Sequence, residues 1–468
     1  MREPASYRDP SGVVFRRDGV VYRQVNRDFA EQWELLRASG LYDTLASSAL
    51  LLPHEEEAGV EPLDDRAVAV IRPRQIDFIS YPYEWSFSQL KDAALVTLTI
   101  QERALDAGMT LKDASAYNIQ FVDGRPILID SLSFEGLVPG EPWVAYRQFC
   151  QHFLAPLAAM AYRDVRLGLL LRPMADGLPL DLTSSLLPGR TKLRPGLAAH
   201  LHLHARAEKK ATADGSGKAG GAPGMDGVPR SGRRVSDTGR RALLDSLRRT
   251  VEGLRWKPDD TTWSSYTALT SYSPAAAASK ARLVEAMISR TSPGRVWDIG
   301  ANTGTYSAIA AATGRPVIAL DADAGAIERL YLATRAGEMP GVAPFVVNLV
   351  GPSPAIGWAL EERRSLVQRG PAPTLMALAL IHHLAIGANV PLPLISSFFA
   401  TIGSEVVVEF VPKEDPQARS LLLGRRDVFP DYSIDGFRSA FSADFELVEE
   451  AAIDDSRRTL VRMRRLVR

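Results

Sequence analysis

The chain has 468 residues, 46% of them hydrophobic and 24% charged, which is too long for one ordinary core and typical of globular proteins. Its 55 basic and 55 acidic side chains cancel, so no bulk charge draws it to nucleic acid or an anionic membrane. The single cysteine, Cys150, excludes an intrachain disulfide and any multi-cysteine metal site. Residues 1–18 are polar and charged, with no apolar core of a secretory leader, and a cytoplasmic location is expected. Residues 12–25 alternate in strand fashion around Asp18-Gly19, predicting a hairpin. A helix is expected over 28–45, strands over 67–71 and 78–81, and a long amphipathic helix over 88–107. Two further strands, 119–121 and 127–129, flank the turn Asp123-Gly124. Residues 143–162 predict a core helix that buries Cys150 as a small hydrophobe. This half therefore reads as α+β.

His200-Leu-His-Leu-His204 alternates like a strand with three histidines on one face, either a metal site or an incidental run beside a linker. Residues 205–237 are rich in Gly, Ala, Ser and Pro and cannot bury enough apolar surface to offset their ordering entropy. They read as a flexible linker, dividing the chain into domains 1–204 and 238–468. Beyond it, helices are expected over 239–256 and 274–289. Strands over 295–299, 316–320, 344–349, 374–381 and 405–410 then alternate with helical segments, which implies a doubly wound α/β sheet. Residues 445–449 and 458–463 form a terminal hairpin. The apolar region 374–399 is broken by His382, His383, Asn389, Pro391 and Pro393, so no membrane span is expected.

The most informative run is Val296-Trp-Asp-Ile-Gly-Ala-Asn-Thr-Gly-Thr-Tyr-Ser307. It reads as buried strand, tight glycine turn and helix start, a geometry that brings bare backbone N–H groups against a nucleotide-like ligand. Asp298 ends the strand, and Gly300 and Gly304 permit a turn that a Cβ would obstruct. The next strand ends at Asp321, placed to grip a ribose. A dinucleotide enzyme prefers G-x-G-x-x-G. Here the spacing is D-x-G-x-x-x-G, with Asn302 at the middle position. An NAD-dependent dehydrogenase is the enzyme alternative, disfavoured by that spacing and by the long preceding half. An unrelated Rossmann domain with a vestigial site is the bland one.

This run resembles motif I of class I S-adenosylmethionine (SAM)-dependent methyltransferases. The resemblance implies a Rossmann-like methyltransferase sheet with an antiparallel terminal hairpin. It also implies SAM as cofactor, bound by Asp298, Gly300, Asn302, Gly304, Asp321, Asn348 and Leu349. Asp298 would sit near the amino group, Asp321 at the ribose, and Asn348 and Leu349 near the adenine. The fourth strand is followed by His382 and His383, where many small-molecule members carry a histidine. Either is a candidate base if the acceptor is a hydroxyl, and capping or core hydrogen bonding is the plain alternative. Trp263, Tyr266 and Tyr272 precede the fold and either cover the site or pack a helix edge.

In the N-terminal half, Asp113 and Asn118 stand at D-x-x-x-x-N spacing, and a strand-turn-strand leads to Asp130. With the hinge-like Tyr81-Pro-Tyr-Glu-Trp85, this resembles the catalytic loop and metal segment of protein kinases and aminoglycoside-phosphotransferase-like kinases. The resemblance implies a kinase-like domain with Asp113 orienting an acceptor, Asn118 and Asp130 holding Mg²⁺, and Mg-ATP as second cofactor. The chain departs from that pattern. It has no glycine-rich loop, Arg23 is nearest the lysine position, and Leu111-Lys112 and Asp130-Ser131-Leu132 replace His-Arg and Asp-Phe-Gly. A degenerate domain that binds an acceptor or partner stands beside the kinase reading. The runs Ile79-Ser-Tyr-Pro-Tyr-Glu-Trp85 and Glu409-Phe-Val-Pro-Lys413 are similar to those of bacterial methyltransferases with a long N-terminal extension, some related to nodulation proteins. The acceptor expected is a small molecule or saccharide, with no nucleic acid partner.

Overall fold

The computed structural model describes residues 2–207, 234–258, 272–423 and 426–467. The chain forms two units, Met1–Lys257 with Ile356–Arg363, and Pro258–Ala355 with Arg364–Arg468. Most of the expected linker, and both Trp263 and Tyr266, lie outside the described residues.

In the first unit, β1 (Gly12–Arg17) and β2 (Val20–Asn26) form the expected hairpin around Asp18-Gly19. Both turn residues have positive φ (51° and 81°), the twist-matched form of a two-residue loop. With β3 (His54–Glu56) and β4 (Ala67–Pro73) they make an antiparallel sheet of order β1-β2-β4-β3. The expected strand over 78–81 is absent. The Gln120 side chain takes its place, accepting from Ser80 N at 2.9 Å and donating to Ser80 O at 3.0 Å. One amide thus satisfies both backbone groups that a neighbouring strand would otherwise pair.

Helix Phe87–Asp106 follows, opened by a capping box at Ser86 and Gln89. Next come β5 (Met109–Leu111), β6 (Ile119–Val122), β7 (Arg125–Leu128) and β8 (Phe134–Gly136), paired β5 with β8 and β6 with β7. Cys150 is buried, as expected, in a helical stretch that loosens to a π turn over Cys150–Leu154.

Helix Asp237–Gly253 belongs to this unit and not to the second, which corrects the boundary expected at 237–238. It buries Leu244, Leu247 and Val251, and Arg248 pairs with Glu102 of the long helix at 2.8 Å. Arg240, buried, donates to Val138 O and Glu141 O. The unit also takes in Ile356–Arg363, where Arg8 and Tyr7 bond Glu362 and the Arg363 guanidinium lies 4.4 Å over the Tyr117 ring.

The second unit is built on seven strands. These are β9 (Val296–Ile299), β10 (Val317–Asp321), β11 (Val342–Val346), β12 (Ala372–Ala377), β13 (Gly403–Phe410), β14 (Phe445–Ala452) and β15 (Thr459–Arg465). Their order is β11-β10-β9-β12-β13-β15-β14. The first five are parallel, and β15 runs antiparallel to β13 and β14. β9 is buried along its whole length and β10 along all but Asp321, which is why their sequences are apolar runs and not alternations. The order reverses at β9, where the chain leaves toward β10 on one side and returns at β12 on the other. In open α/β sheets such a switch point opens a crevice at the carboxyl ends of the strands. Among the described residues no helix is long and apolar enough to cross a membrane.

Candidate cofactor and acceptor site

The turn after β9 has the shape its sequence implies. Gly300, Asn302 and Gly304 all have positive φ, at 80°, 50° and 85°. A Cβ on Gly304 would lie 2.5 Å from Leu330 Cδ1, so this position is fixed by close packing of helix Ala324–Arg335. A Cβ on Gly300 would press on Leu380 at 3.2 Å, in the segment that follows β12.

One expectation needs correction. Four N–H groups of the turn are not bare. Gly300 N and Ala301 N donate to Leu320 O at 2.8 and 3.1 Å, and Gly304 N donates to Ala301 O. Asn302 N donates to Asp321 Oδ2 at 2.8 Å. The turn is therefore a preset concave shape, braced from below. Its unmatched group is an acceptor: the buried Asn302 Oδ1 has no hydrogen-bond partner.

Asp298 is 2% exposed and accepts from Ser307 Oγ at 2.6 Å. Burial pushes its carboxyl up to about 7, against the Ser307 bond. Asp321 accepts from Asp323 N and Asn302 N, one on each oxygen, so it also ties the two loops together. Its pKa is raised by burial. Asp298, Asn302, Gly300, Gly304 and Asp321 thus gather at one end of adjacent strands. Asn348 and Leu349 lie past the end of β11, not inside a strand. Asn348 is exposed and its Oδ1 accepts from Val350 N at 3.0 Å.

β12 ends at Ala377, short of the expected 381, and His382 and His383 follow it. They open a helical turn, ring centroids 4.1 Å apart. His382 is fully buried with neither ring nitrogen bonded, and His383 is partly exposed. Burial, with Arg458 nearby, pushes His383 down to about 4. Burial and the neighbours His383, Arg458 and Lys280 hold His382 well below the usual histidine range.

A buried ionic network that the sequence reading missed lies beside them. Glu409, at the end of β13, pairs with Lys280 at 2.6 Å and Arg458 at 3.2 Å and accepts from the Tyr272 hydroxyl. Arg458 also holds both oxygens of Asp415, at 2.7 and 3.0 Å, and donates to Tyr272 Oη at 2.9 Å. The Lys280 ammonium lies 4.1 Å over the ring of Tyr306, in the first turn after Gly304. Burial raises the Glu409 carboxyl, but Lys280 and Arg458 outweigh it and hold it below the ordinary value. The only sequence signal was charge inside apolar runs: a lysine among alanines and a glutamate closing Val-Val-Val.

In the first unit, Asp113, Asn118 and Asp130 come together, and each also bonds neighbouring residues. Asp113 accepts from Ser115 N at 2.9 Å and Gln148 Nε2 at 2.7 Å, and Asn118 Nδ2 donates to Ser133 Oγ. Asp130 accepts from Leu132 N and pairs with Arg23 at 2.6 Å. Both contacts fall on Asp130 Oδ1. Burial, and then the charge of Asp130, raise the Asp113 carboxyl.

The three histidines near residue 200 lie on a helical turn, not a strand. His200 bonds Tyr146 Oη and Ser246 Oγ, and His202 bonds Ser184 Oγ and Thr191 Oγ1, all at 2.8–2.9 Å. No group of metal-ligating side chains exists among the described residues.

No protein-family model matches the chain. The nodulation protein NoeA of Rhizobium meliloti (strain 1021) is 32% identical over 463 residues, covering 98% of this chain and 95% of that protein. The chain belongs to the NoeA family. Among solved structures, N-methyltransferase NodS from Bradyrhizobium japonicum WM9, in complex with S-adenosyl-L-homocysteine, matches 44% of this NoeA-family chain and 93% of its own. The identity is 12% and the TM-score 0.32. Magnesium protoporphyrin IX methyltransferase (ChlM) from Synechocystis PCC 6803 matches 41% of this chain and 85% of its own, at 14% identity and a TM-score of 0.30.

Proposed function

We propose that the C-terminal unit is a SAM-dependent methyltransferase acting on a small-molecule or saccharide acceptor, which the N-terminal unit selects. One observation carries this reading. A strand-turn-helix with three alternate left-handed positions, Gly300, Asn302 and Gly304, sits at the switch point of the sheet, braced by Asp321. Its buried, unmatched Asn302 Oδ1 and the carboxyl of Asp298 suit an amino group, and Asp321 suits ribose hydroxyls. Asn348 and Leu349 are then the adenine side, although Asn348 Oδ1 already serves Val350 N.

SAM, when bound, supplies a methyl group already activated by its sulfonium. The remaining task of this chain is to align an acceptor and exclude water. His382 and His383, after β12, are the candidates for the acceptor side.

For the first unit, the missing glycine-rich loop and the Arg23–Asp130 ion pair support acceptor selection over phosphotransfer from Mg-ATP. Arginine is no neutral replacement for a phosphate-gripping lysine, and here Arg23 is engaged by Asp130.

Isothermal titration of the intact protein with SAM tests the reading. Binding is expected, and Asp321→Ala is expected to weaken it by roughly tenfold, the cost of about one charged hydrogen bond, and Gly300→Arg by at least as much, because a side chain there meets Leu380 at a left-handed backbone position. Equal affinity in both variants would remove the site from Gly300 and Asp321.

A further inference from the structure

We infer that Arg172 and Arg363 form a phosphate site in the first unit and that the acceptor carries the phosphate; its place on the acceptor rests on the acceptor selection proposed above. Both cations are left without anions by the fold. The Arg172 side chain makes no hydrogen bond or ion pair among the described residues, although its Nε is buried. Arg363 uses one nitrogen, Nη1, on Glu362 O at 2.9 Å, and pairs with no carboxylate among the described residues. A buried N–H without an acceptor is costly, and a ligand that supplies the acceptor removes the cost.

Aromatic rings hold the two guanidinium groups in place. Arg172 follows the turn Val165–Leu171 and lies 5.4 Å over the Tyr83 ring, and Arg363 lies 4.4 Å over the Tyr117 ring. Tyr81 links the rings, with its centroid 5.5 Å from Tyr83 and 6.4 Å from Tyr117. Tyr117 Oη donates to the carbonyl of Leu171, the residue before Arg172, at 3.3 Å. Both cations therefore stand on one ring cluster. A ring face orients a guanidinium without neutralising it, so its planar fork stays open to an oxyanion.

The carboxylates nearby do not close these forks. Glu84 is fully buried and accepts from Tyr81 N, and Glu362 is taken by Arg8 and Tyr7. The charge of Asp176 reaches Tyr117, but this residue is exposed and forms no ion pair among the described residues. His152 lies buried, edge-on to Tyr117, with Nδ1 unbonded. Burial, and then Arg363, pushes it down to about 4, so it brings a polar atom and no third charge.

Two cations call for two negative charges. A phosphate monoester carries about −1.5 to −2 at neutral pH and three acceptor oxygens, enough to meet a fork on each side. A carboxylate carries one charge, and a single fork satisfies it. A neutral sugar supplies no charge at all.

Phosphorus-31 NMR of inorganic phosphate, titrated with the intact protein, reads the site without SAM. Saturable broadening is expected for the wild type. Arg172→Gln and Arg363→Gln should each weaken it by about tenfold or more. Arg249→Gln, at an exposed position of helix Asp237–Gly253, should not. Phosphate should also raise the melting temperature of the wild type and not that of Arg172→Gln, which loses no bond in the ligand-free protein. An absence of saturable broadening, or equal affinity in both site variants, overturns the site. A second arm separates free phosphate from phosphate on the acceptor. A cleared extract of the producing cells, with and without prior phosphatase treatment, is incubated with the protein and methyl-labelled SAM. Labelled product is expected from the untreated extract and not from the treated one. Labelling that survives treatment overturns the assignment to the acceptor and leaves free phosphate as the ligand. If neither extract is labelled, the methyltransferase reading falls and the assignment to the acceptor with it, while the phosphate titration still decides the site.

Discussion

Burial sets the charge state of single side chains in the C-terminal unit, and Asp298 is the clearest case. Its folded pKa of about 7 stands above the ordinary 3.8 because the carboxylate is out of water. A raised acid contributes stability that is fully present below pH 3.8 and is lost as pH rises through about 7. Over the same window the group becomes the anion that a ligand amino group needs. SAM affinity should therefore rise between about pH 6 and 8 while the melting temperature of the ligand-free protein falls, and Asp298→Asn should flatten both trends in calorimetry and thermal melts. His383 works in the opposite direction and in another range. Its pKa is lowered from 6.5 to about 4, so its contribution is present above 6.5 and lost as pH falls toward 4. Asp298, Gly300, Gly304 and Asp321 were legible from spacing alone, because a strand-turn-helix is a local object. The unmatched Asn302 Oδ1 was not, since whether an atom is bonded depends on what packs against it.

Elements in this unit are joined by charge as well as by apolar contact. Lys280 in helix Pro274–Ser289, Glu409 at the end of β13 and Arg458 before β15 bind three separate elements inside the core. Removing one partner leaves the others buried and unpaired, so Glu409→Ala should cost about 3–5 kcal/mol in denaturant unfolding. Replacing Lys280 and Glu409 together, by Met and Leu, should recover much of that loss, because Arg458 keeps Asp415. A double variant as unstable as Glu409→Ala would show that packing, not charge, sets the cost. Two elements expected from local pattern took another form. The alternating histidines suggested a strand, but Leu197, Leu201 and Ala205 recur at helical spacing and are all buried, and that period governs. The run 78–81 has strand-like residues, yet a side-chain amide pairs its backbone in place of a strand.

For the whole molecule, the division of the chain departs from its composition. The Gly- and Ser-rich stretch suggested a boundary at 237, but helix Asp237–Gly253 packs back onto the first unit. A fragment ending at Lys257 should then melt cooperatively, and one ending at residue 207 should lose that transition in calorimetry, because it strips the cover supplied by Leu244, Leu247 and Val251. Equal melting of the two fragments would return the helix to the second unit. By itself the sequence determined the parallel sheet with its terminal hairpin, the glycine turn after β9, the acid that ends β10, and the Asp18-Gly19 hairpin. Those features follow from side-chain period and backbone preference within a few residues. Only the tertiary structure decided which half owns the helix after the linker, that Arg23 closes on Asp130, and that His382 lies unpartnered beside the Lys280–Glu409–Arg458 network. Desolvation and ion pairing depend on neighbours distant along the chain, and no local pattern encodes which charge will meet which.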